Sequence, residues 1–158
     1  MPRSTHLTAL AFISASVFLL STAYAANSYS VGQRLNAEQT KDLGSLQSVE
    51  VNGRKYQVLQ MSQSAAGLPF TMLLDANGMV GKTYHELQIV EQPTAQVRQQ
   101  LTSVLSQAQE VKYYDQAHIT LLRFATLEQA VKALAQIHSA MPDAEIGIPI
   151  TFSRPSLR

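Results

Sequence analysis

The fold is decided by residues 111–152, VKYYDQAHITLLRFATLEQAVKALAQIHSAMPDAEIGIPITF. Within this stretch, residues 111–114 and 118–124 are rich in aromatic, leucine and β-branched side chains, and Asp115-Gln116 separates the two runs. Short runs of this composition on either side of a turn predict two strands that pair as neighbours.

The same stretch then changes to helical spacing. Thr126, followed three residues later by Gln129, is typical of a capping box at the start of a helix. Pro142-Asp143 ends the helix, and the alternation within residues 145–152 predicts a last strand. The predicted apolar stripe of the helix consists of Leu127, Val131, Leu134, His138 and Met141.

One strand and one helix precede this stretch. Residues 83–91 alternate as a strand does, and Pro93 occupies the first turn of a helix predicted to reach Ala108. The resulting order, β-α-β-β-α-β, predicts a ferredoxin-like antiparallel sheet with two helices on one face. In that topology the last strand is an edge strand, where Pro149 is tolerated.

Two β-hairpins are predicted ahead of this sheet. Asn52-Gly53 supplies two residues suited to positive φ, and residues 75–78, DANG, supply a second turn. The sequence therefore predicts an α+β protein. Its predicted parts are a signal peptide (1–25), an N-terminal extension (26–46), an N-terminal β-hairpin domain (47–82), a ferredoxin-like domain (83–153) and a C-terminal tail (154–158).

Residues 1–25 have the pattern of a secretory signal peptide. Arg3 precedes an apolar stretch, and the small residues around Ala23-Tyr24-Ala25 favour cleavage after about Ala25. We therefore expect a periplasmic or secreted protein that has no membrane segment after cleavage.

Composition excludes several classes of protein. The chain has twelve Lys or Arg, eleven Asp or Glu, and no cysteine. Loss of Arg3 leaves the charges balanced, so we expect no nucleic-acid partner. An exported chain without cysteine cannot be a disulfide scaffold, and its stability must come from a packed core.

Motifs for catalysis and cofactor binding are missing from the sequence. The histidines after the signal peptide, His85, His118 and His138, do not have metal-ligand spacing, and no nucleophile motif, P-loop or dinucleotide-binding glycine pattern occurs. The DANG turn lacks the further ligands of a calcium loop. We expect no cofactor, no metal and no enzymatic activity.

The predicted sheet has one face that its own helices do not cover. Tyr114, Leu122 and Phe124 are the candidate residues for an uncovered apolar interface on this face, with their neighbours of the other parity as the alternative. A second alternative is that the N-terminal hairpins cover the face.

The C-terminal tail, Arg154, Pro155, Ser156, Leu157 and Arg158, resembles the product of cleavage after arginine. Pro155 biases Arg154 toward an extended conformation. An extended segment of this kind can occupy a protease substrate cleft by adding a strand to the enzyme, with Leu157 and Pro155 in neighbouring pockets. The alternative is a frayed end without function.

Residues 83–152 resemble the propeptide domain of subtilisin-type proteases, an intramolecular chaperone and temporary inhibitor. Together with VGQRL, VEVNGRKYQVL and LLDANGMVGKTYHELQIVEQ, they make the chain similar to external chaperones of secreted, propeptide-lacking, kexin-like bacterial serine proteases. The resemblance implies a chaperone and inhibitor acting in trans on such a protease, whose preference for basic residues Arg158 matches. The alternative is a periplasmic module that binds a small ligand or a protein and has no protease partner, with its ligand between the hairpins and the C-terminal sheet.

Overall fold

The computed structural model describes residues 29–153, so the predicted signal peptide (1–25) and C-terminal tail (154–158) lie outside the described residues. The helices of the described part are α1 (Ala37–Asp42), α2 (Thr94–Gln100), α3 (Thr102–Leu105) and α4 (Leu127–Ala140). The strands are β1 (Ser48–Val51), β2 (Arg54–Gln63), β3 (Pro69–Leu74), β4 (Val80–Thr83), β5 (Glu86–Val90), β6 (Glu110–Tyr114), β7 (Ile119–Arg123) and β8 (Glu145–Gly147).

The strands form two antiparallel four-stranded sheets. In the N-terminal sheet the order is β1-β2-β3-β4, so each strand pairs with the next one along the chain. In the C-terminal sheet the order is β6-β7-β5-β8, and helices connect β5 to β6 and β7 to β8. The chain is therefore an α+β protein, as predicted.

Both predicted hairpin turns are present. Asn52 and Gly53 have φ angles of 51° and 71° and join β1 to β2. In the second turn, the Asp75 carboxylate accepts hydrogen bonds from the backbone N–H groups of Asn77 at 2.9 Å and Met79 at 2.8 Å. The Asp75 side chain thus stabilises the turn that joins β3 to β4.

The described part of the N-terminal extension packs against the outer face of the N-terminal sheet. The backbone N–H of Leu35 donates to the carbonyl of Gly78, and that of Gly32 donates to the carbonyl of Val80, both at 2.8 Å. These bonds hold an apolar cluster closed on this face. Its buried residues are Leu35, Met72, Leu74 and Val80.

A larger core lies between the helices and the C-terminal sheet, and the N-terminal sheet contributes to it. Leu87 and Leu122 of the C-terminal sheet are fully buried, and Val51 and Leu73 of the N-terminal sheet belong to the same apolar cluster. Burial of apolar surface therefore joins the two sheets.

The helix predicted from Pro93 to Ala108 is broken at Leu101, where φ is −114° and ψ is 22°. The Thr102 hydroxyl donates to the carbonyl of Arg98 at 3.0 Å, which the backbone N–H of Thr102 would bond in a continuous helix. This side-chain competition accounts for the division into α2 and α3.

The buried stripe of α4 is rotated relative to the predicted one. His138 is exposed, so its assignment to the stripe was wrong, whereas Val131 is partly buried and lies at the margin of the core. The pattern of large apolar residues misleads here because two alanines lie on the buried face. The buried residues are Leu127, Ala130, Ala133, Leu134 and Ile137.

The last strand is shorter than predicted. β8 ends at Gly147 instead of Phe152, and the chain then leaves the C-terminal sheet. Thr151 pairs with Lys82 of β4 through backbone hydrogen bonds of 2.9 Å in both directions. Pro149 lies between these two pairings, where no ladder N–H is required.

Candidate functional site

The histidines have separate surroundings. The Nε2 of buried His85 lies 2.8 Å from the Thr71 hydroxyl, His118 has φ of 51° next to a turn, and His138 is exposed on α4. Residues 29–153 contain no group of three His, Cys, Asp or Glu that could hold a metal ion. In the same range, every helix is too short or too polar to cross a membrane.

Alternation along β7 decides which residues of the C-terminal sheet face the helices. Leu122 is 0% exposed and Phe124, directly after β7, is 1% exposed, and both belong to the core. The prediction that these two residues remain uncovered is therefore wrong. Their neighbours of the other parity occupy the opposite face, since successive strand residues point to opposite sides.

That opposite face, here named the open face, carries the apolar residues Val90, Tyr114, Ile119 and Leu121. Tyr114 pairs with Ile119 and is 49% exposed, as predicted for an uncovered position. Val90, Ile119 and Leu121 are partly exposed and belong to neither apolar cluster. The N-terminal hairpins contribute to the core on the helix side. On the open face, Asn52 of the first hairpin lies beside Gln88 and Val90, at the edge formed by β8.

Charged side chains form a network at one end of the open face. Glu86, Arg123 and Glu110 lie opposite one another on β5, β7 and β6. Arg123 contacts Glu86 Oε1 through Nη2 at 2.5 Å and Glu110 Oε2 through Nη1 at 2.6 Å. The guanidinium thereby joins three strands, through charge-assisted hydrogen bonds to Glu86 and an ion pair with Glu110.

The network also shifts the pKa values of its members. The hydrogen bond from Lys112, whose Nζ lies 2.9 Å from Glu110, lowers the pKa of Glu110, and Arg123 adds a smaller shift in the same direction. The hydrogen bond to Glu86 raises the pKa of Arg123. The open face therefore combines an apolar patch with fixed charges at one end.

The chain that leads to the predicted tail is fixed against the N-terminal sheet. A Cβ atom at Gly81 would lie 2.8 Å from Phe152 Cε1, and one at Gly32 would lie 2.8 Å from the Phe152 carbonyl oxygen. Phe152 therefore passes directly over two glycines. The tail residues predicted to bind a protease cleft follow from Ser153 and lie outside the described residues: Arg154, Pro155, Ser156, Leu157 and Arg158.

The space between the N-terminal hairpins and the C-terminal sheet is occupied by side chains. Val51, Tyr56 and Ile148 are buried there in one cluster. At the edge of this junction an open cavity of about 460 Å³ remains, lined by Asn52 of the first hairpin and by Gln88 and Val90 of β5. An open cavity of about 700 Å³ lies elsewhere, between α1 and the turn at residues 75–78.

No family model and no curated protein matches this chain. One solved structure has a similar chain: the crystal structure of the complex between Aeromonas sobria serine protease (ASP) and the chaperone (ORF2). The match has 14% sequence identity and a TM-score of 0.46, and it covers 71% of this chain and 100% of the other. A likeness at this TM-score assigns neither a fold nor a function to this chain.

Two residues with long-range contacts were missed by sequence reasoning. Asn52 was assigned only to a turn, yet its side chain contacts the backbone of Ile148, 96 positions away. Arg123 was not singled out either. Pairing the strands about the predicted turn at Asp115-Gln116 places Glu110 opposite Leu121, whereas the longer connection in the structure places it opposite Arg123. Neither contact could be read from the sequence.

Proposed function

We propose that this chain is an exported, non-enzymatic folding chaperone and inhibitor that acts in trans on a propeptide-lacking serine protease of the subtilisin/kexin type. The open face carries the proposal. Its apolar residues Val90, Ile119 and Leu121 belong to neither apolar cluster. Exposed apolar patches on monomeric proteins are usually interaction sites. The resemblance of residues 83–152 to subtilisin-type propeptides supplies the class of partner.

We further propose that the C-terminal sheet has the ferredoxin-like topology of such propeptides. The order β6-β7-β5-β8 supports this assignment, because each helical connection joins strands that have one strand between them. Val97 of α2 and Leu127 of α4 share one core with Leu122 of β7, which supports a common face for the helices.

Chaperone activity is proposed to come from contact between the open face and the protease while it folds. Contacts that stabilise the folding transition state accelerate folding. Contacts that persist in the native protease stabilise it by mass action. The open face therefore serves both to accelerate folding and to bind the native protease. The charges around Arg123 suit the polar rim of such an interface.

Inhibition is proposed to come from Arg154–Arg158 in the substrate cleft. An extended segment gains affinity from main-chain hydrogen bonds to the enzyme and specificity from its side chains. Arg158 suits a protease that prefers basic residues before the cleaved bond, and Leu157 and Pro155 suit the neighbouring pockets.

Refolding of a denatured, propeptide-lacking subtilisin-family protease tests the role of the open face. The unmodified chain is expected to accelerate the recovery of native near-ultraviolet circular dichroism. Replacing Tyr114 and Leu121 together by serine is expected to slow this recovery about tenfold, equivalent to about 1.4 kcal/mol of lost contact with the transition state. Met61→Ser is the matched control, because Met61 is 74% exposed and lies on the N-terminal sheet. Equal slowing by the control, or no acceleration by the unmodified chain, would contradict the proposal.

Deletion of residues 154–158 tests the role of the tail. The shortened chain is expected to remain folded but to lose inhibition of the protease, measured with a chromogenic peptide substrate, and to lose productive maturation of its partner. Full inhibition and full rescue by the shortened chain would remove the tail from the mechanism.

A further inference from the structure

Residues 148–153, here named the exit segment, are held by the N-terminal sheet. Asn52 Nδ2 donates to the carbonyl of buried Ile148 at 2.8 Å, and the Ile148 N–H donates to Asn52 Oδ1 at 2.9 Å. Three residues later, Thr151 exchanges two backbone hydrogen bonds with Lys82. The exit segment is thus bonded at two separate points to a sheet other than the one it leaves.

The side chain of Asn52 does more than its turn requires. Its φ of 51° would be satisfied by glycine as well. The carboxamide, however, presents a donor and an acceptor side by side and bonds both backbone polar groups of Ile148, as a neighbouring strand would. Aspartate would keep only the acceptor and glycine would provide neither.

We propose that Asn52 is a positioning residue which, together with Lys82 of β4, fixes the exit segment as far as Ser153. In this proposal, the N-terminal hairpins hold the chain so that residues 154–158 begin at a defined point beside the C-terminal sheet. The consequence for a protease rests on the proposed function, whereas the anchoring itself is a property of the isolated chain.

The benefit of anchoring follows from the number of residues between the last anchored residue and position 158. If the chain were released after Gly147, eleven residues (148–158) would separate the sheet from position 158, whereas anchoring to Ser153 leaves five (154–158). Effective concentration falls roughly as the −3/2 power of linker length, so anchoring favours intramolecular docking about threefold. The fixed direction of the exit segment adds to this factor.

Hydrogen exchange on the isolated protein tests the anchor directly. Asn52→Gly keeps the turn conformation but removes both side-chain bonds, and it is expected to accelerate exchange of the Ile148 N–H at least about tenfold through local opening. Asn52→Asp keeps the acceptor and is expected to give a smaller change. The matched control is Asn77→Gly in the other hairpin turn, because the Asn77 side chain makes no hydrogen bond within residues 29–153. Unchanged exchange at Ile148 in Asn52→Gly would overturn the proposal.

A double-mutant cycle with the deletion of residues 154–158 tests positioning apart from stability. The quantity measured is the dissociation constant of the complex with a subtilisin-family protease, because the shortened chain is expected to bind through the open face although it does not inhibit. Asn52→Gly is expected to weaken binding about threefold or more in the full chain and to leave it unchanged in the shortened chain. Thr151→Pro removes the N–H that donates to Lys82 and is expected to act likewise without altering the Asn52 turn.

Equal weakening in both backgrounds would indicate general destabilisation and overturn the positioning role. If the unmodified chain inhibits no such protease, the proposed function fails. The exchange experiment still decides whether Asn52 anchors the exit segment.

Discussion

The two sheets have the same number of antiparallel strands but differ in how their faces are covered. In the N-terminal sheet, Leu73 belongs to the core shared with the C-terminal sheet, while its neighbours Met72 and Leu74 belong to the cluster closed by the N-terminal extension. In the C-terminal sheet, Leu122 is buried and its neighbour Leu121 is partly exposed. A sheet covered on both faces is suited to anchoring, whereas a sheet covered on one face retains a surface for a partner.

Adjacent leucines on β7 give the largest expected contrast between covered and open surfaces. Leu122→Ala is expected to lower the free energy of unfolding by about 2–5 kcal/mol, because it leaves a cavity in the core. Leu121→Ala on the open face is expected to cost less than about 1 kcal/mol. Urea denaturation measures both. Equal costs would mean that the open face is packed like the core.

Gly81 tests the tight packing between the N-terminal sheet and the exit segment. A Cβ atom there would lie 2.8 Å from Phe152 Cε1 and 2.9 Å from Ile150 Cγ2, so Gly81→Ala is expected to cost about 1–3 kcal/mol by overpacking. Gly147→Ala is the matched control, because its Cβ would meet its nearest neighbour at 3.4 Å. Thermal or urea unfolding compares the two variants. A smaller loss of stability for Gly81→Ala than for the control would show that the exit segment is loosely held.

The pH dependence of the free energy of unfolding tests the burial of His85 at the junction of the two sheets. Burial lowers the pKa of His85 below its ordinary value of 6.5, although backbone groups of Ala125 and Phe124 oppose the shift. As the pH falls, the unfolded chain therefore takes up a proton on His85 at a higher pH than the folded chain does. The free energy of unfolding is highest above about pH 6.5 and decreases as the pH falls toward the pKa of His85 in the folded state. The slope is at most about 1.4 kcal/mol per pH unit for one proton.

His85→Asn is expected to remove this slope, because asparagine tolerates the φ of 58° and does not titrate. The measurement is the free energy of unfolding between pH 5 and 7.5, with His138→Asn on the surface of α4 as the control. An unchanged slope in His85→Asn would place the pH dependence on other groups.

Local chemistry made much of the fold predictable. Asn52-Gly53 and the Asp75 turn require particular backbone angles and side-chain bonds, so they identify both hairpins without tertiary information. The start of the helix at Thr126 was equally predictable from the sequence, since the Thr126 hydroxyl accepts a hydrogen bond from the Gln129 N–H.

The predictions that failed depend on contacts between distant segments. Residues 119–122 are apolar or nearly so on both parities, so their sequence cannot tell which face of β7 receives the helices. The path of the chain after Gly147 depends on Asn52 and Lys82, which precede the exit segment by more than sixty residues and leave no local pattern. The open face and the anchor therefore required the structure.

The charged network gives the smallest expected effect and the most direct test that the open face is in contact with solvent. Because the Lys112 hydrogen bond lowers the pKa of Glu110 below its ordinary value of 4.5, Glu110 stabilises the fold above that pH, and this contribution is lost as the pH falls through the folded-state pKa. Glu110→Gln is expected to remove this part of the acid dependence, with exposed Glu50→Gln on β1 as the control. The effect is expected to shrink in high salt, since ions screen exposed charge pairs. An effect that persists in high salt would show that the network is shielded from solvent. The C-terminal sheet would then be covered on both faces, like the N-terminal sheet.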